Sequence, residues 1–526
     1  MKNICIILLF LPLFSCNDWL TVESEKSVTY INYFKSEQDL ENVLNSIFGN
    51  EKKIFASTSV NNLEVSGLIC DYGNFYEDIR NLVSEEFFDG NMASWSRQYS
   101  TIYLTDMLEE NRFRFKHISK ERADYWIAQA NFAKALMYFD VIRKWGEAPL
   151  APGTESMEPR GKSSTMALLE EAIRCANIAL QLPPHEQLTD SRGNAVTSKQ
   201  YASLGTVHTL LANIYAWMGG LYGDRKYWEE AEKHASLVID GKAGFYDLEP
   251  NILSMKNNTL GPGRTSVETI FGIEINERDE PRFYSTMFEY RYPGLLLLDY
   301  PYMKASPKDI ESGTQEPVIY VETVKTLYPE RGDERRKEYW YELGEIGFWE
   351  DSDWDEEGNV IDSTWTLSEY AFLDKWNKEI RSVNPEMLEE GEAPLLAMDG
   401  NRVVWRLADL ILLRAECRAR LGMETAVNDL NRVRNRAGLP NYSKSTAPEA
   451  LRLEIFHERE RELFGEGGRY YDVVRNGYFQ AELSWAYERL TDNDVKSGAL
   501  YLPVSKNSFL KNPLMKQNIY WSWHQN

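Results

Sequence analysis

Cysteine, histidine and positive charge are all in short supply in this 526-residue chain, and each shortage excludes a class of function. Lys and Arg number 58 against 81 Asp and Glu, a formal net charge of −23. Phosphate backbones are held by clustered Lys and Arg, so nucleic acid is not an expected partner. The same balance argues against charge-driven adsorption to an anionic membrane and suits a soluble, surface-exposed protein. The 6 histidines are scattered without zinc spacing. His457-Glu458 is followed by Arg461 where a metalloprotease helix needs its second His. Gly161-Lys162-Ser163 has Ser156 where a phosphate loop needs Gly, and no G-x-S-x-G elbow occurs. Setting aside the N-terminal segment with Cys5 and Cys16, the cysteines are Cys70, Cys175 and Cys417. An odd number at wide spacing is no disulfide framework. Cys175 and Cys417 stand beside Ala in helical patterns and are expected to be small core residues. No cofactor is expected.

An apolar run long enough for a membrane span is also missing at the N-terminus. Ile4 to Phe14 follows Lys2, but it is short and contains Pro12. A span needs about 20 apolar residues. A charged head, a short apolar stretch and Ser15 before Cys16 instead make residues 1–15 a secretory signal. The small-residue-then-Cys ending looks like a lipobox, which would leave Cys16 to carry lipid, with residues 16–35 as lipidated N-terminus and tether. Buried acyl methylenes anchor at about 0.8 kcal/mol each. The alternative is an ordinary signal with an incidental cysteine.

What is abundant is helix. The pattern predicts helices over 36–48, with a capping box at Ser36-x-x-Asp39, and through Trp95, Tyr99, Ile102, Tyr103 and Leu108. Further helices are expected over 121–145, 165–180, 198–218 (ended by Gly219-Gly220) and 227–239. Leu211-Ala212-x-x-Tyr215 followed by Ala231 and Ala235 looks like a tetratricopeptide hairpin. Such a hairpin buries its face only by stacking on neighbours. From Thr269 to Ile275 the alternation predicts a strand. Residues 281–400 are rich in Tyr, Trp, Pro and Gly without a helical period, so short strands and long loops are expected. Asp355 to Asn359 is a predicted hairpin turn between Trp354 and Val360. Asp351-x-Asp353-x-Asp355 resembles the opening of a calcium loop, but Glu356 stands where the motif requires Gly. An exposed acidic hairpin is the preferred reading, with calcium at these three carboxylates the alternative.

The most informative segment runs from Arg406 to Arg475. Two amphipathic helices meet at Gly422 and stop at Gly438-Leu439-Pro440, a length that suits one tetratricopeptide unit of about 34 residues. A helix dense in Glu and Arg follows, closed by a Gly-rich turn and Arg469. Arg406, Ala408, Ala415-Glu416, Asn431, Val433-Arg434 and Arg436 to Leu439 resemble the SusD/RagB family of outer-membrane nutrient-binding lipoproteins. So do Glu458-Arg459, Glu462-Leu463, Glu466-Gly467, Arg469, Asp472 and Arg475. The end of the chain adds Tyr501 to Val504, Asn512-Pro513 and Gln517-Asn518. Ser505 and Ile519-Tyr520 depart from the family's turn residues, which puts loop shape in question and not the fold.

The resemblance implies a mainly α protein of tetratricopeptide-like hairpins with a loop-rich, short-strand ligand region. It implies an N-terminal SusD-like helical region (36–250) and a C-terminal RagB/SusD region (260–526), the last hairpin lying at 403–440. It also implies a lipid-anchored, cell-surface location on the outer membrane. By resemblance the partners are a SusC-like TonB-dependent transporter, for which this chain acts as a lid, and an oligosaccharide or polysaccharide ligand. The family does not catalyse, and no carboxylate pair is singled out for glycoside hydrolysis. A peptide-capturing lid, a hydrolase and a protein-only scaffold are the alternatives.

Two clusters compete for the ligand. Glu458, Glu462 and Glu466, interleaved with Arg459 and Arg461, are read as a partly buried ion-pair network that ties the helix to the last hairpin. Tyr, Phe and Trp make up 13% of the chain. Sugars present flat C–H faces to aromatic rings and hydroxyls to polar groups. Three aromatic loops fit that need: Asp71, Tyr72, Asn74, Tyr76 and Arg80; Tyr290 and Tyr292; and Trp349 and Trp354 with Trp365. Trp95 and Tyr99 are expected in the core. These ligand residues follow from composition and loop placement, because the family's binding residues vary.

Overall fold

A computed structural model describes residues 33–56, 94–156, 158–264, 266–275, 300–301, 319–381, 395–483, 485–510 and 512–524. Cys16, Cys70, the segment from Asp71 to Arg80, Tyr290 and Tyr292 lie outside the described residues.

The protein is mainly helical. Helix α1 (Glu37–Phe55) starts where Asp39 reaches back to accept the Ser36 backbone N–H at 2.8 Å, the predicted capping box. It runs one to two turns beyond the expected end. Helices α2 (Ser96–Glu110), α3 (Lys120–Trp145) and α4 (Thr165–Ala179) follow, α3 ending at Gly146 with φ +72°. A Cβ on Gly146 would meet the Tyr501 ring at 2.9 Å, so this stop is also a docking point for the chain's end.

Helices α5 (Leu204–Tyr222) and α6 (Arg225–Ile239) form the predicted hairpin, with one difference. Gly219 and Gly220 do not end α5. They lie within it, and the left-handed Gly223 ends it. A Cβ on Gly219 would fall 2.5 Å from the Trp228 indole, and one on Gly220 would fall 2.5 Å from the Arg475 carbonyl oxygen. Glycine permits close approach here rather than a stop. The start of α5 shifts too, to Leu204, because the Ser203 hydroxyl accepts from Thr206 N–H and caps it there.

Strand β1 (Thr269–Ile273) pairs antiparallel with β7 (Arg402–Arg406) and feeds the last hairpin, α8 (Leu407–Leu421) and α9 (Ala426–Arg436). Helix α10 (Pro448–Glu462) and α11 (Arg469–Asn476) complete this region. One hydrophobic core takes residues from Phe34 to Trp521, so the N-terminal helices and the C-terminal hairpin share it. Cys175 and Cys417 are buried in it, and burial raises both thiol pKa values. Gln517 clamps the chain's end: its side chain accepts from Val504 N–H at 2.7 Å and donates to Val504 O at 3.0 Å. Ser505 is buried, and Ile519–His524 forms a 3-10 turn.

Between the two regions lie short strands. β2 (Ile319–Tyr320) leads into α7 (Val321–Leu327), and β2 and β3 (Trp340–Tyr341) flank β6 (Tyr370–Leu373). β4 (Gly347–Trp354) and β5 (Val360–Leu367) form a separate two-stranded hairpin. Among the described residues no helix is long and apolar enough to cross a membrane.

Candidate functional site

The Glu and Arg cluster is a buried network. Arg335, Arg406, Arg436, Glu458, Glu462 and Glu268 are all at most 7% exposed. Arg406 Nη1 lies 2.7 Å from Glu462 and 2.8 Å from Glu268, and Arg335 Nη1 lies 2.8 Å from Glu458. Arg436 joins Glu462, and Lys375 reaches Glu466 at 2.6 Å. Burial pushes the Glu462 carboxyl up, but Arg436, Arg406 and Arg335 outweigh it and hold the group well below the usual range. Glu466 settles at about 2 for the same reason, with Arg406 and Lys375 overcoming its burial. Groups this deep, with a carboxylate on every cation, join strands to helices.

The β4–β5 hairpin is the opposite case. Its turn forms as the sequence predicts. Asp355 N–H donates to Asn359 O at 2.9 Å, Gly358 takes φ +85°, and the Asp355 carboxylate accepts from Glu357 N–H and Asn359 N–H. The base is tied down by Ser368 N–H donating to Ile346 O at 2.9 Å, over a small cluster of Ile346 and Phe372. Above that base the strands leave the body. Trp349 is 61% exposed, Trp354 53% and Trp365 49%. Trp349 and Trp365 are cross-strand partners in a T-shaped pair with ring centroids 5.6 Å apart. A Cβ on Gly347 would sit 2.8 Å from the Trp365 ring, so this glycine lets the indole lie against the strand. Asp351 shares the face of the two rings and accepts from Ser363 Oγ at 3.3 Å.

Calcium at Asp351, Asp353 and Asp355 finds little support in this geometry. Asp355 is spent on the turn, and the register shifts between Asp351 and Asp353 and again after Asp353. Among the described residues no group of three or more His, Cys, Asp or Glu side chains is placed to hold a metal ion.

A second aromatic surface was not legible in the sequence. Trp95, Tyr99 and Tyr103 recur every four residues and line a groove of about 650 Å³ with Ser100 and Asn507. Trp95 is buried against Trp145, with centroids 5.7 Å apart, as expected of a core residue. Tyr99 is half-buried, its hydroxyl donating to Pro149 O, and Tyr103 is 44% exposed. The stripe therefore grades from core to surface. A larger groove, of about 970 Å³, runs past Glu330, Arg434, Tyr442, His457 and Glu482. Its cations are already paired, Arg434 with Glu330 at 2.8 Å and Arg469 with Glu460 at 2.5 Å. It offers a sugar one phenol ring, so we favour the two tryptophan-bearing surfaces.

Fold and surface together define a helical-hairpin protein with exposed aromatic rings. Comparisons with known proteins show what it is similar to. Residues 396–521 match the SusD family. Over nearly its whole length the chain is similar to SusD-like proteins. SusD-like protein P38 of Formosa agariphila is 21% identical over 98% of this chain and 99% of its own length. A solved SusD homologue from Bacteroides thetaiotaomicron superposes with TM-score 0.72 at 21% identity, covering 93% of this chain and 99% of that one. NanU of B. fragilis gives TM-score 0.67 at 17% identity over 94% and 99%. Proteins of this family are generally nutrient-binding accessory proteins without catalysis.

Proposed function

We propose that this protein captures an oligosaccharide or polysaccharide at the cell surface and delivers it, uncut, to a SusC-like TonB-dependent transporter. It is held to the outer membrane by lipid on Cys16 and closes over the transporter as a lid, a rigid-body swing of a kind proteins commonly use. The observation that carries this reading is the exposed Trp349–Trp365 pair on a hairpin anchored at its base. Large rings are stable in water only at a cost, and contiguous exposed apolar surface marks binding sites. The groove beside Tyr99 and the exposed Tyr103 supports it.

Calorimetric titration of the chain from residue 17 onward against neutral and charged oligosaccharides and oligopeptides tests it. Binding to one glycan class is expected, and Trp349→Ala or Tyr103→Ala should weaken it at least tenfold. Binding to peptides alone would replace the sugar by a peptide in this reading. Silence toward every probe would overturn capture as the protein's own activity. Deleting the partner transporter should abolish uptake and leave binding by the purified chain intact.

A further inference from the structure

The negative balance of the chain is not evenly spread. Between Arg112 and Arg122 there are 5 Lys and Arg and one acid, Glu121, in a protein of net charge −23. This segment leaves α2, turns through Arg112–Arg114 and enters α3. The carboxylates beside it are already engaged. Asp124 takes both Arg112 and Lys120, Glu37 takes Arg122 at 2.6 Å, and Asp39 caps α1. Arg114, Lys116 and Lys35 have no carboxylate partner among the described residues. Arg114 is held in place instead: its Nε donates to Asn111 Oδ1 at 2.8 Å, and its guanidinium lies 4.7 Å from the Phe113 ring centroid. Phe113 is 69% exposed. The same place is the root of the N-terminal tether. Phe34 is buried against Phe115 with ring centroids 5.3 Å apart, and Tyr33 packs on Phe34 at 5.1 Å. The chain coming from Cys16 therefore joins the body inside the basic segment. Phe34 is 18 positions from Cys16, a reach of about 60 Å at full extension.

We infer that the segment from Arg112 to Lys116, together with Lys35, is a docking face for an anionic lipid surface. Headgroup phosphates meet Arg114, Lys116 and Lys35, and the Phe113 ring enters the boundary between headgroups and acyl chains, where apolar side chains of surface-bound segments lie. The inference rests on the reading that Cys16 carries lipid, which brings a membrane to this end of the body. Charge alone would also suit an acidic protein; the tether root beside Phe115 favours lipid. Net charge argues against adsorption of the surface as a whole, and this segment is the local exception. Each cation near an anionic membrane strengthens binding about fivefold. The acidic remainder is repelled by the same phosphates, so the contact orients the body as well as holding it.

The test uses the chain from residue 17 onward, which carries no lipid, and two kinds of vesicle: phosphatidylcholine alone, and phosphatidylcholine mixed with phosphatidylglycerol. In co-sedimentation at low salt the mixed vesicles should bind at least about tenfold more tightly than the neutral ones. The gap should shrink as salt is raised, because exposed charges are screened. The double variant Arg114→Gln, Lys116→Gln should weaken binding to the mixed vesicles about twentyfold. Phe113→Ser should weaken it about tenfold, the loss of one buried ring. Lys337→Gln, at an exposed cation outside the segment, should leave it unchanged. Equal binding to both vesicles, or binding to neither, overturns the inference, as does anionic binding that survives the double substitution. The anchor is tested apart. In cells, Cys16→Ala should release the chain from membranes washed at high salt. Retention there would overturn the lipid on Cys16, a failure separate from that of the docking face. Circular dichroism shows that each variant keeps its fold.

Discussion

Glu462→Gln is the sharpest test of the claim that the charged cluster holds the fold. The Glu462 side chain is fully buried and lies within ion-pair distance of three guanidiniums, those of Arg335, Arg406 and Arg436. Glutamine keeps the size and one acceptor oxygen. It removes the negative charge and turns an amide N–H₂ toward groups that can only donate. Breaking a buried pair by neutralising one partner costs about 3–5 kcal/mol, because the partner charge stays buried and uncompensated. The strongly depressed Glu462 carboxyl points the same way, as burial alone would have raised it. Arg335 keeps Asp333 and Glu458, Arg406 keeps Glu268 and Glu466, and Arg436 keeps Glu268, so a loss at the lower end, about 3 kcal/mol, is expected. Whole-protein stabilities are about 5–15 kcal/mol, so the variant should fold marginally. Urea unfolding, followed by tryptophan fluorescence and far-ultraviolet circular dichroism together, should show a large fall in midpoint at unchanged slope. A loss under about 1 kcal/mol would refute the reasoning. So would unchanged stability with lost ligand affinity, which would place Glu462 in a binding site.

Other variants probe other links. Gly347→Ala should displace both the Thr366 carbonyl and the Trp365 indole, since a Cβ there would fall 2.5 Å from the first and 2.8 Å from the second. It should weaken ligand binding several-fold and loosen the base of the hairpin, read by titration and by a shift in tryptophan fluorescence. Gly219→Ala, which drives a Cβ into the Trp228 ring, should instead cost about 1–3 kcal/mol of stability by overpacking. Acid should unfold the protein cooperatively. Glu416 and Glu466 both settle at about 2 against an ordinary value of 4.5, burial being outweighed by Arg475 at one and by Arg406 and Lys375 at the other. A depressed folded pKa gives stability that is complete above 4.5 and lost as pH falls toward 2, on the order of 3 kcal/mol for each group. Glu51 has the opposite sign: burial raises it to about 8, against one hydrogen bond from Gln200. Its folding cost grows as pH rises from 4.5 to 8, so Glu51→Gln should stabilise the protein by up to about 3 kcal/mol at pH 7 and by nothing near pH 4.

The helical scaffold was legible because its signals are local. Ser36 with Asp39, Gly422 and Gly438 mark helix boundaries through backbone conformation alone, and the structure uses all three as caps or stops. Gly219-Gly220 misled for a related reason. Glycine at a helix end and glycine under a crossing ring look alike until the ring is placed, and Trp228 and Arg475 come from elements that sequence spacing does not locate. The ion-pair network was legible in part. Glu458 and Glu462 stand one turn apart on α10, but Arg335 and Glu268, which complete their pairing, lie far away in sequence.

The candidate site was legible only where it is built on a hairpin. Alternation around Asp355 to Asn359 places Trp349 and Trp354 on one strand and Trp365 on the other, and all three are exposed. Tyr103 was missed because a stripe at helical spacing carries the same pattern whether it ends in core or in solvent. Trp95 and Tyr103 differ only in what packs against them: Trp145 covers the first, and the other is left at the rim of the groove. Buried groups answer to many neighbours at once, so their identities announce the fold. An exposed ring answers to its ligand, which lies outside the chain.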